Sequence, residues 1–391
     1  MLITAKRIEA LKPSATLAVS AKADELIAKG EDIINLCLGE PDFPTPKFIC
    51  DAAIKAIHDG KTRYTAVDGT TELKKAIIDK LARDHQLTYQ PNQILASCGA
   101  KHSLFNLFMA ILNPGDEVLI PAPFWVSYPD IALLAEAKPV IMPTTEKQHY
   151  KITAQQLEKA ITPKTRILAL NSPCNPTGAV YTRAELVELS KVLLKHPNII
   201  ITSDDIYEKI LWGSEPFCNI VMACPELNDR TVVINGASKA YAMTGWRLGY
   251  AAGPASIIAG AKKIQSQSTS NPCSISQAAM TAALNGNQEC VTKMTAAFKQ
   301  RYEFFHTAIN KMPGLSAPDC QGAFYLFINV EGAMKQLGLK DDIAFAEFLL
   351  HKAKVACVPG SAFGTPGCVR FSYAVDISIL EETVNRIKEA L

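Results

Sequence analysis

No segment of this sequence has the apolar length that crosses a bilayer. The opening residues, Met1 to Arg7 (MLITAKR), lack the basic-then-apolar order of a secretion signal. Neither sign of charge is in excess, with 40 Lys and Arg against 38 Asp and Glu. That balance removes the electrostatic case for nucleic acid or a membrane surface as partner. The 11 cysteines are odd in number and never fall in C-x-x-C spacing. Neither a metal site nor a disulfide framework is therefore expected, and reduced thiols in a cytoplasmic protein are. No Gly-x-Gly-x-x-Gly follows a strand-like run, because Gly236 and Gly245 have the wrong spacing. This argues against a nicotinamide dehydrogenase. There is no short internal period and no Gly/Ser-rich linker.

What is present is enough chain for more than one core: 391 residues, 48% hydrophobic and 20% charged. Periodicity predicts helices over 17–29, 47–59 and 70–84, and INLCLGEPDFPTP (34–46) reads as a short strand running into an irregular loop. Strands are expected at 94–99, 117–123, 139–143, 166–173, 199–205, 231–238 and 249–253, with helices at 104–112, 153–163 and 183–195. This is βα spacing, the mark of an α/β fold whose mostly parallel sheet is covered by helices. After 255 the pattern changes to helices at 255–266, 276–286, 288–310, 341–353 and 377–390 and strands at 322–330, 355–360 and 369–374. That predicts a smaller α+β domain. The division expected is an N-terminal arm (1–45) shared with the small domain, a large domain (46–287) and a small C-terminal domain (288–391). The long helix at 288–310 would bridge the domains, and the Ser/Thr-rich stretch 266–274 reads as a loop.

In an open α/β sheet, ligands sit beyond the carboxyl ends of the strands. The polar residues at those ends are Gly99-Ala100-Lys101, Trp125, Asn171 and Asn175, Asp204-Asp205-Ile-Tyr207 and Ser238-Lys239. A lysine just past an apolar strand, among small residues, can form a Schiff base once burial lowers its pKa. Arg247, eight residues beyond Lys239, could clamp a phosphate. The backbone amides of Gly99, Ala100 and Lys101 precede a helix and suit the same anion. Either Asp204 or Asp205 could serve as the buried carboxylate. Each of these residues alone also has a plain reading as a cap, a turn or a surface charge, and it is their shared topological position that carries weight.

The stretch GASKAYAMTGWRLG (236–249) resembles the lysine-attachment signature of the class I aminotransferases, which are fold-type I enzymes of pyridoxal 5′-phosphate. The similarity continues in order through LGEPDFPTP, YTAVDG, the Gly-Ala-Lys turn, PAPFWVSYP, NSPCNPTG, SDDIYE and VRFSYA, and is strongest to the bacterial-type (Ib) aspartate aminotransferases. It implies a fold-type I architecture: a large domain with a seven-stranded, mostly parallel sheet, plus a smaller α+β domain. It also implies roles. Lys239 would carry the cofactor and move the substrate proton. Asp204, selected over Asp205 by the family's Asp-x-x-Tyr spacing, would pair with the ring nitrogen. Tyr207 and Asn175 would donate to the ring 3′ oxygen, and Trp125 would stack on the ring. Gly99, Ala100, Lys101, Ser238 and Arg247 would cradle the phosphate, joined by Tyr64 from the second subunit of a homodimer. Arg370 would bind the substrate α-carboxylate, with the Gly39 backbone beside it. The chain departs from the pattern at Gly236, where some relatives have a phosphate-binding serine.

The substrates implied are an amino acid and a 2-oxo acid. A dicarboxylic substrate needs a second cation, for which the resemblance offers Lys101 together with the Lys12–Thr16 segment. Lys101 opens a helix, where a cation is unfavourable without an anionic neighbour; the cofactor phosphate could be that neighbour, so the residue serves either role. The expected reaction is ping-pong transfer from L-aspartate to 2-oxoglutarate. Glutamate:prephenate transamination is the near alternative, and an alanine or aromatic aminotransferase a more distant one. A lyase or decarboxylase on the same cofactor shares the machinery. A non-catalytic relative would be expected to have lost Lys239 or Asp204.

Overall fold

The computed structural model describes residues 5–11 and 15–391. Twelve strands follow in chain order: β1 Ile34–Asn35, β2 Ile94–Ser97, β3 Glu117–Pro121, β4 Lys138–Met142, β5 Thr165–Asn171, β6 Ile200–Asp204, β7 Thr231–Gly236, β8 Gly249–Ala252, β9 Tyr325–Asn329, β10 Val355–Ala356, β11 Val358–Pro359 and β12 Cys368–Ser372. Seven of them form the main sheet in the order β2-β8-β7-β6-β5-β3-β4. Only β8 runs against its neighbours; the β7–β6, β6–β5, β5–β3 and β3–β4 pairs are parallel. Every residue of β2 and β7 is buried, as expected of apolar runs sandwiched between helix layers, where each fully buried Val, Leu or Ile contributes about 1.5–3 kcal/mol. Apart from β8, all these strands end on one edge of the sheet, and Lys101, Asn171, Asn175, Asp204, Tyr207, Ser238 and Lys239 follow those ends.

A second sheet, β11-β12-β9, is antiparallel throughout. The predicted strand 355–360 is in fact two pieces serving different partners: β10 pairs with the N-terminal β1, and β11 pairs with β12. The N-terminal segment is thus tied to the C-terminal part of the chain. The 21-residue helix Glu289–Ile309 begins with Val291 in the core beside β2 and β8, then buries Met294, Phe298, Phe305 and Ile309 against the small sheet. The helix thus contributes to two of the core clusters.

Two local readings need correction. The stretch 266–274 is not all loop, because the helix Ala255–Ser268 runs through its first three residues and a new helix starts at Ser274. Fully buried Gln265 holds that last turn by donating to the Val67 and Ala96 carbonyls and accepting from Ser97 and Asn106. A helix at Ser127–Leu134 was not anticipated. Its Pro129 lies in the first turn, where the missing N–H costs nothing. Among the described residues no helix is long and apolar enough to cross a membrane.

Candidate active site

Strand alternation decides between the two aspartates. Successive side chains on a strand point to opposite faces. Asp204, the last residue of β6, lines a cavity of about 610 Å³ at the carboxyl edge of the sheet. Asp205 points the other way, accepting from Asn219 Nδ2 at 2.7 Å and Ser203 Oγ at 2.7 Å. Burial raises the Asp204 carboxyl to about 6, even though hydrogen bonds from Tyr128 and the Ile206 amide favour the charged form.

The same cavity is lined by Gly39, Ala100, Lys101, Trp125, Asn175, Tyr207, Ser238, Lys239, Arg247 and Arg370. Segments from across the chain therefore converge as expected. Lys239 donates to the Gly39 carbonyl at 2.5 Å. Burial, with the charges of Arg370 and Arg247 acting against the opposing Glu40 and Asp204, brings its amine down to about 8. A useful fraction is then neutral near physiological pH.

One end of the cavity gathers the start of the helix Ala100–Ile111, Ser238 and the Arg247 guanidinium. Gly99, at φ +89°, caps that helix with no side-chain hydrogen bond. Contrary to expectation its own amide is taken, donating to the Ser97 carbonyl at 2.7 Å, and the first-turn amides of Ala100 and Lys101 are the ones left facing the cavity. A Cβ at Gly99 would lie 2.5 Å from Arg247 Nη2, so only glycine lets the guanidinium lie over the turn. Arg247 itself makes no ion pair among the described residues; it donates to the Thr244 carbonyl at 2.9 Å. The departure at Gly236 has a steric cause. A Cβ there would meet Gly249 Cα and Leu248 O at 2.9 Å, so a serine does not fit and the hydroxyl at this end is that of Ser238. Gly249 is equally constrained, since its Cβ would come within 2.3 Å of the Ala100 nitrogen. Gly249→Ala should push the helix start off β8 and destabilise the fold by about 1–3 kcal/mol, read as a lower urea midpoint at unchanged slope.

The other end holds Arg370. It is 3% exposed, on β12, with the Tyr325 and Phe363 rings 4.5 and 4.9 Å from its guanidinium carbon. It donates to Asn175 Oδ1 at 2.9 Å and to the Cys37 carbonyl at 2.6 Å, while its Nε has no partner. Among the described residues no carboxylate pairs with it. A buried arginine without a counter-ion is costly unless a ligand supplies one.

Lys101 sits with its ammonium 4.9 Å from the Trp125 ring centroid. Burial and then Arg247 lower its pKa, and Asp130 opposes them. Tyr207 shares a 2.8 Å hydrogen bond with Tyr325. Asn171 Oδ1 accepts from the Asn175 amide, and its Nδ2 donates to the Asp204 carbonyl, each at 2.9 Å. Tyr64 is not brought to this cavity. It is 90% exposed and borders a separate hollow with Lys55, Arg63 and Ser274. Lys12 and the Thr16 side chain lie outside the described residues. Sequence reasoning missed Tyr128, Tyr325 and Glu40. Tyr128 donates to Asp204 Oδ2 at 2.6 Å, and Glu40 accepts from the Thr244 hydroxyl.

A profile of the family described as aminotransferase class I and II matches residues 31–387. The chain is 53% identical over 392 aligned positions to an aspartate/prephenate aminotransferase of Nitrosomonas europaea, covering 99% of each chain. The solved aspartate aminotransferase of Rhizobium meliloti superposes with a TM-score of 0.97 at 44% identity, over 100% of this chain and 99% of that one. The Thermus thermophilus aspartate aminotransferase solved with maleate gives 0.94 at 39% identity, over the whole of both chains.

Proposed function

This chain belongs to the class I and II aminotransferase family, and we propose that it transfers the amino group of L-aspartate to 2-oxoglutarate by a ping-pong reaction on pyridoxal 5′-phosphate. The observation that carries this reading is one cavity holding a half-buried amine, a buried carboxylate, an anion cradle and a buried arginine that lacks a counter-ion among the described residues. When bound, the cofactor supplies an electrophilic carbon for the amine and an electron sink for the carbanion. Its phosphate would be held by the amides after Gly99, by Ser238 and by Arg247, and its ring would lie against Trp125. Asp204 would face the ring nitrogen, with Tyr207 and Asn175 at the 3′ oxygen.

Arg370 would take the substrate α-carboxylate, its planar fork exchanging the Asn175 and Cys37 contacts for a carboxylate. Lys239 Nζ then removes the Cα proton and returns it to the other side of the transfer, a task matched to an amine near neutrality. Lys101, a second cation on the same cavity, would receive the distal carboxylate. Phe363 and Tyr325 keep water from the arginine. Prephenate is a second acceptor to be tested, a reading favoured by the name of the Nitrosomonas europaea relative. Tyr64, exposed here and outside the cavity, would act on the phosphate of a partner subunit in a homodimer. All 11 cysteines are free, which supports a cytoplasmic setting.

The test is a half-reaction panel. The cofactor-loaded enzyme is mixed with aspartate, glutamate, alanine, phenylalanine and arogenate, and conversion of the cofactor to its amine form is followed by absorbance. Aspartate and glutamate should react fastest. If both fail while a neutral amino acid reacts, the substrate assignment is wrong. Fast reaction of arogenate would establish the prephenate branch. Lys101→Met should lower kcat/KM for dicarboxylic substrates by about tenfold to a hundredfold more than for alanine, the size of one lost charged hydrogen bond. Equal losses would return Lys101 to a cofactor-side role.

A further inference from the structure

Asp204 is held from behind. Tyr128, in the first turn of the helix Ser127–Leu134, is 2% exposed and donates to Asp204 Oδ2 at 2.6 Å. Among the described residues Oδ1 receives only the Ile206 amide, at 3.3 Å. The Tyr128 ring does not line the main cavity; it borders a separate small hollow with Cys174 and Tyr181. It also meets the Trp125 ring edge to face, with centroids 5.3 Å apart. One helical turn thus sets both the stacking tryptophan and the carboxylate.

We infer that Tyr128 is a positioning residue for the cofactor's ring nitrogen, its hydroxyl fixing the orientation of the Asp204 carboxylate and holding it in the charged form that pairs with a protonated ring. The inference rests on the cofactor reading above. Its physical basis is that burial favours the neutral acid, and a donor on one oxygen is the main opposing contact. Burial and the neighbouring carboxylate push the phenol well above its usual range, so it stays a donor at working pH. A neutral Asp204 could no longer keep the ring nitrogen protonated, and the electron sink would weaken.

The experiment compares affinities of the full-length apoenzyme for pyridoxal 5′-phosphate and for the analogue in which a C–H replaces the ring nitrogen. Wild type should favour the natural cofactor. Tyr128→Phe, which removes one oxygen and no carbon, should lose about tenfold to a hundredfold in affinity for the natural cofactor. It should stay within about twofold for the analogue. In an Asp204→Asn background the same substitution should add nothing, because the tyrosine acts through the aspartate. Equal losses on both ligands, or none on either, would overturn the role of Tyr128. Failure of the wild type to discriminate between the two ligands would instead overturn the placement of Asp204 at the ring nitrogen.

Discussion

Lys239→Met should abolish amino transfer and, in the cofactor-free chain, raise stability. The first effect follows from position. Lys239 is the amine that lines the cavity with Asp204 and Arg370 and is drawn down to about 8. Losing a positioned acid–base group alone costs about 10²–10⁴ in rate, and the attachment of the cofactor goes with it. Single-turnover absorbance with aspartate, together with retention of cofactor on dialysis, measures both losses. The second effect follows from linkage. An unfolded lysine titrates near about 10.4, and each unit of depression is about 1.4 kcal/mol. Below pH 8 both states are protonated and the full penalty of about 3 kcal/mol is present. Between 8 and about 10.4 the unfolded chain binds the extra proton, so wild-type stability rises with pH and the penalty disappears. The methionine variant, similar in volume, should therefore unfold at higher urea than wild-type apoenzyme at pH 7, with the gap closing by pH 10.5. An unchanged midpoint at pH 7 would show that the amine is solvated and not poised. Catalytic groups commonly carry such a stability cost.

How much of this was readable beforehand depended on the kind of contact. The sheet strands were legible because β7 and its neighbours are apolar runs of strand length, and the helix Ile377–Ala390 because its buried face repeats at helical spacing. Lys239, Asp204, Arg247 and Arg370 were legible because they interrupt or end such runs at one edge of a sheet. Tyr128 and Tyr325 were not. Each is an aromatic in an apolar setting, and the partners lie 76 and 118 residues away, so no local pattern separates them from core. The choice of Asp204 over Asp205 needed a family spacing in the sequence, whereas in the structure it follows from alternation alone. The split of 355–360 was hidden for a related reason, since which sheet a short apolar run joins is decided by partners far along the chain.

The turn after Asp204 has its own anchor, and there the largest loss of stability is expected. Glu208 is buried and meets two residues of the helix Thr71–His85: its Oε1 pairs with Lys80 Nζ, and His85 Nε2 lies 2.5 Å from Oε2. All three side chains are at most 4% exposed. Burial alone would raise the Glu208 carboxyl, but Lys80 and His85 outweigh it and hold the group well below the usual carboxylate range. Glu208→Gln keeps the shape and leaves the Lys80 ammonium buried with its main counter-charge gone. Breaking such a pair from one side costs about 3–5 kcal/mol. Because the folded-state pKa is depressed, this contribution is fully present above the unfolded value of about 4.3 and is lost as pH falls below it. The gap between wild type and variant in urea unfolding should thus be widest near neutrality and narrow below pH 4. If the penalty is the uncompensated ammonium, adding Lys80→Met to Glu208→Gln should recover at least about half of the loss. If the pair stabilises mainly through packing, the second substitution would deepen it. The outcome bears on the site, because the turn pinned by Glu208 begins at Asp205 and carries Tyr207 into the cavity.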